Sequence, residues 1–102
     1  MSEEKLESIA PGRLSVRLRE GLKGHHPLFR AEEIRAAFTA PDVPMRREQA
    51  TEVGQALLAM AREPLLSARD LIESLAPASR DALIRLYFRL LDRAAADRPS
   101  VH

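Results

Sequence analysis

From Leu83 to Ala95 the chain is apolar around too much of a helix for one neighbour to cover. With successive residues set about 100° apart, Leu86, Leu90, Leu83, Ala94, Tyr87, Leu91, Ile84, Ala95 and Phe88 fill an arc of roughly 200°. A helix lying on a domain surface needs an apolar stripe of only about 100° or slightly more. Arg85, Arg89, Asp92 and Arg93 occupy the remaining side. Two arrangements satisfy this pattern. Either the helix runs through the centre of its own domain, or one edge of the arc, at Ile84, Phe88 and Leu91, is left for another chain. In the second case Arg85 and Arg89 rim the patch, and arginine suits interface edges. A two-fold homodimer is the commonest cover for such a patch, which would otherwise promote aggregation. The candidate partner-binding residues are therefore Ile84, Phe88, Leu91, Arg85 and Arg89.

The rest of the chain supplies short amphipathic helices. Leu14, Leu18 and Leu22 form a helical stripe, while Leu14, Val16 and Leu18 also alternate with polar residues as in a strand. Helix is favoured for 13–23, because no second strand is available to pair. A helix is expected from Pro27 or Leu28 to Ala40, with Leu28, Ile34, Ala37 and Phe38 on its apolar face. The next spans about 44–63 between Pro44 and Pro64, and Gly54 beside its stripe suggests a close helix approach. Ser67 and Ser79 are placed to cap the last two helices.

Ala31, Ile34, Phe38 and Pro41 are echoed by Ala68, Leu71, Leu75 and Pro77, each set preceding a longer helix. Two pseudo-symmetric helical hairpins would explain the echo, as would chance. The expected fold is thus all-α, a compact bundle of four to five helices. Its core is drawn from Leu28, Ile34, Phe38, Val53, Leu57, Met60, Leu71, Leu75, Leu83, Leu86, Tyr87 and Leu90. Residues 1–12 read as a flexible leader, 13–97 as one helical domain and 98–102 as a flexible tail.

The chemistry of most enzymes is missing. There is no cysteine, and the four glycines are scattered rather than gathered into a phosphate loop. His25 and His26 are adjacent, so their side chains diverge, and no further ligand stands at metal-binding spacing. No catalytic residue, cofactor or metal is expected. No apolar run reaches membrane-spanning length, and the acidic Met1–Glu4 start is unlike a secretory signal, so cytoplasmic residence is the expectation. Sixteen Lys and Arg against fifteen Asp and Glu leave a formal charge of only +1, which argues against a general grip on nucleic acid. Among the basic residues only Lys5 and Lys23 are lysine. The arginine bias reads either as functional or as an effect of coding composition.

Two stretches resemble DNA-binding families. Arg13-Leu-Ser-Val-Arg-Leu-Arg19 resembles the N-terminal ribbon of ribbon-helix-helix proteins, although Gly24 and Pro27 interrupt the helix that should follow. Residues 66–91 resemble the helix-turn-helix of winged-helix regulators, with Arg80, Asp81 and Arg85 where base-reading side chains would stand. These resemblances imply a small transcriptional regulator. The surplus apolar surface, balanced charge and missing reactive constellation imply instead a non-catalytic interaction module, an adaptor or regulator. Its apolar C-terminal helix face would meet a protein partner or a second copy.

Overall fold

A computed structural model describes residues 13–41 and 43–96; the expected leader and tail lie outside the described residues. Five helices follow in order: α1 (Arg13–Leu22), α2 (Ala31–Thr39), α3 (Arg47–Arg62), α4 (Leu65–Ser74) and α5 (Pro77–Ala96). No strand occurs among the described residues, so the all-α bundle is as expected.

The period-two pattern of 13–19 loses to the helical one. Leu14 and Leu18 are buried on one face of α1, while Val16 is left half exposed. The ribbon resemblance is therefore corrected: this stretch is a helix. It stops at Gly24, whose φ of 86° lies in the left-handed region that glycine enters without steric cost. The His25 and Gly24 amides there bond Glu20 O at 3.0 Å and Gly21 O at 2.9 Å, closing the last turn.

α2 begins later than expected, because Pro27–Phe29 form a turn that buries Leu28 and Phe29. At the starts of α2 and α3 a side chain at the third helical position reaches back to a backbone amide. Glu33 Oε1 accepts from Arg30 N at 2.9 Å, and Gln49 Oε1 accepts from Arg46 N at 2.9 Å. Ser67 and Ser79 do not cap, since α4 and α5 start earlier, directly after Pro64 and at Pro77. Ser79 is fully buried, and its hydroxyl has no hydrogen-bond partner among the described residues.

α5 is the central helix, packed by α1, α2 and α3, and α4 lies on α3. The expected hairpins are corrected: the short helix of each echoing half rests on the long helix of the other half rather than on its own, and the two long helices pack together. This is the contact pattern a pseudo-two-fold exchange of the halves leaves. Ala37, Ala56, Ala68 and Ala94 are fully buried, letting helices approach closely. Three further expectations are corrected here. Ile84 (0% exposed) and Leu91 (6%) belong to the monomer core rather than to an exposed edge, because α1, α2 and α3 together cover the middle of the arc. Phe38, expected in the core, is 56% exposed, because α2 turns the neighbouring Ala37 towards the core instead. Gly54 has open space where a side chain would stand, so no helix closes on it.

The close approach occurs at Gly21 on α1. A Cβ there would lie 2.8 Å from Leu91 Cδ2 and would collide with the Tyr87 hydroxyl. An ionic cluster joins α2, α4 and α5. Arg69 of α4 grips Glu33 of α2 with two hydrogen bonds (2.7 and 2.8 Å) and donates to Leu28 O at 2.7 Å. It also bonds Glu73, which Arg30 reaches at 2.9 Å, and Arg80 of α5 approaches Glu33 at 3.4 Å. Arg69 and Glu33 are largely shielded from water. The Arg69 hydrogen bonds hold the Glu33 carboxyl down at about 2, against a burial effect that pushes it up.

Two sets of stability measurements test this packing. Gly21→Ala should lower stability by about 1–3 kcal/mol through overpacking, whereas Gly54→Ala should raise it by about 1 kcal/mol through helix propensity. Urea denaturation of both variants reads the contrast, and equal effects would contradict the packing at Gly21. The second set varies pH. Glu33 stays deprotonated further into acid when folded than its ordinary value of 4.5 allows, so its contribution is complete above that pH and is lost as pH falls towards 2. Shared among several guanidiniums and partly screened by solvent, that contribution is about 1–3 kcal/mol near neutrality. Glu33→Gln should cost stability at neutral pH and flatten the acid limb of the profile. An unchanged acid limb would remove Glu33 as its source.

Candidate docking groove on helix α5

The polar side of α5, unlike its apolar arc, faces a groove. Arg85 and Arg89 lie at its centre, and the two edges of the apolar arc flank them: Leu86 on one side and Phe88 on the other, both half-buried. The segment joining α2 to α3 forms the opposite wall. Two adjoining hollows result. One, of about 350 Å³, is lined by Val43, Pro44 and Met45 against Ala82, Arg85, Leu86 and Arg89. The other, of about 400 Å³, is lined by Phe38 and Ala40 against Arg85, Phe88, Arg89 and Asp92. The wall carries apolar side chains that a monomer leaves in water: Val43 is 66% exposed, Met45 48%, and Phe38 more than half.

The wall is held in place by Arg85. Its Nε donates to Ala37 O at 2.8 Å, and one terminal nitrogen donates to Ala40 O and, at 3.3 Å, to Pro41 O. These carbonyls close α2, whose last turn has no intrahelical donors for them. A cation there also complements the negative end of the helix dipole. Pro41 then prevents α2 from continuing, and Val43, Pro44 and Met45 stand opposite α5 before α3 begins.

The floor under Phe88 is an aromatic cluster. Phe88 meets Phe38, Tyr87 and His26 edge-on, with ring centres 5.4, 5.1 and 5.0 Å apart. His26 Nδ1 shares a 2.8 Å hydrogen bond with the Tyr87 hydroxyl. Burial pushes the Tyr87 phenol up to about 12, and burial followed by the charge of His25 holds His26 below its ordinary value. Near neutral pH this is therefore a bond between two neutral groups. It anchors the turn before α2 to α5 and fixes the ring beneath Phe88.

Of the five sequence-predicted site residues, Arg85, Arg89 and Phe88 line the groove, while Ile84 and Leu91 lie in the core behind it. Sequence reasoning missed Val43 and Met45, because an apolar loop carries no periodicity. It also missed His26, which read as a loop residue. Arg80 and Arg85, placed by the helix-turn-helix resemblance where bases would be read, are both engaged with α2. Among the described residues, no group of three or more His, Cys, Asp or Glu side chains is set to hold a metal, and no helix is long and apolar enough to cross a membrane.

Replacing Arg85 tests the clamp. Arg85→Met keeps the aliphatic stem but leaves the α2 carbonyls without their donor, and should cost about 1–3 kcal/mol. The hydrogen-bonded amides of the last turn of α2, through Ala40, and of Arg46 should exchange faster while those of α4 stay protected. Uniform exchange across both regions would show that Arg85 does not hold the wall. No protein-family model matches the chain, and neither the curated proteins nor the solved structures compared with it include a match.

Proposed function

We propose that the protein is a non-catalytic interaction module whose docking surface is the groove between α5 and the wall of Ala40, Pro41, Val43, Pro44 and Met45. The observation that supports this reading is the pair of exposed apolar residues, Val43 and Met45, facing half-buried Leu86 across a wall fixed by Arg85. Apolar side chains singly exposed are common on any protein. Here they line a concavity with Phe38 and Phe88 at its far end, the arrangement that receives the anchors of a partner segment. The partner is another protein chain, and the contact involves α5 through its Arg85–Arg89 side and its two apolar edges. The role is that of an adaptor or regulator, acting by occupancy.

The test is capture of interacting proteins by the full chain, followed by reconstitution with the purified partner. Val43→Asp combined with Met45→Asp should abolish the reconstituted complex. Both sites are exposed, so helix content and denaturation midpoint should change little. Leu66→Asp, at an exposed apolar residue outside the groove lining, should leave binding intact. Loss of binding in the Leu66 variant but not in the groove variant would place the interface elsewhere.

A further inference from the structure

We infer that the groove selects a protein segment with a carboxylate between two apolar anchors; this rests on the docking reading above. Arg85 and Arg89 are common to both hollows, so any chain filling the two must pass over these guanidiniums. Arg85 directs its donors to the α2 carbonyls. Arg89 is exposed and makes no ion pair or side-chain hydrogen bond among the described residues. Its fork, planar and permanently charged, matches one carboxylate with two parallel hydrogen bonds.

The charge around it sets the size of the anion. Asp92 borders the Phe38 hollow, and Asp81 lies where the groove continues past Met45 towards Gln49. Two carboxylates along the same side confine the positive potential to the centre of the groove. A phosphate backbone or a run of acids would meet repulsion at both ends, whereas a single Asp or Glu flanked by apolar residues keeps its charge at the centre and meets the least. The apolar anchors go to Phe38 and Phe88 on one side of Arg89, and to Val43, Met45 and Leu86 on the other.

The experiment selects displayed random peptides on the full chain, then on Arg89→Glu, whose fold is checked by circular dichroism. The expected winners on the wild type carry Asp or Glu between apolar residues. Converting that acid to its amide in a synthetic copy should weaken binding at least about tenfold. Arg89→Glu should select Lys or Arg at the same place. If both proteins select the same peptides, and Val43→Asp with Met45→Asp loses them, the groove docks a segment but the carboxylate inference is wrong. If selection yields nothing above background, the inference is likewise overturned. A wild-type dimer that becomes monomeric in the Val43 and Met45 variant would show that a second copy fills the groove, which also overturns it.

Discussion

Short helices have a problem at their ends. Each leaves several carbonyls without donors, and here α2 and α4 are so short that end groups are a large share of the backbone. At the ends of α2 and α3 the solution is arginine. Arg17 donates to Met60 O and Glu63 O at 2.9 and 2.8 Å, closing α3. Arg85 closes α2, and Arg69 satisfies Leu28 O while gripping Glu33. In each case one guanidinium reaches two or more acceptors belonging to another element. A lysine ammonium, a point charge on a flexible stem, cannot hold two fixed acceptors with the same geometry. Both explanations of the arginine bias therefore have a place: whatever raised its frequency, at these three positions the fork has a definite structural task.

These forks also order the tertiary structure. Arg17 joins α1 to α3, Arg69 joins α4 to α2, and Arg85 joins α5 to α2. Among the large buried side chains of these elements stand fully buried alanines, Ala37, Ala56 and Ala68, which allow proximity but contribute little area each. Directional bonds at the helix ends then fix positions that alanine contacts leave free to slide. Gly21 extends the same economy of volume to the α1–α5 contact, where the Tyr87 hydroxyl needs the space to meet His26.

How much of this the sequence reveals depends on the periodicity of each feature. The surplus arc of α5 is real, and it correctly marks the central helix. Periodicity gives the width of an apolar arc but not which neighbour covers which part of it, so Ile84 and Leu91 could not be told from Phe88. Phe38 misled for a related reason: side-chain size suggested burial, but close packing against α5 favours the smaller Ala37. The serine caps failed because Pro64 and Pro77 start their helices before Ser67 and Ser79. The capping-box pattern that does operate uses Glu33 and Gln49 without a Ser or Thr partner, and a search for the usual pair passes over it. The 40–46 wall has no periodic pattern, and its place over α5 follows from Arg85, whose bonds cross 44 to 48 positions of sequence.

The groove follows from the same device that closes α2. A loop rich in proline and apolar residues would ordinarily vary in conformation and pay for ordering when it bound. Pro41 and Pro44 already restrict it, Arg85 fixes the end from which it departs, and Gln49 fixes the amide of Arg46 where α3 starts. Its apolar side chains are thus presented from a segment held at both ends, which would lower the entropic cost of the docking proposed above. The opposite wall is a helix whose inner face is the core itself, so it does not yield either. One wall is restricted by proline and held by a guanidinium that α5 itself supplies, and the other is held by burial, so the folded chain couples the two and sets the width between them.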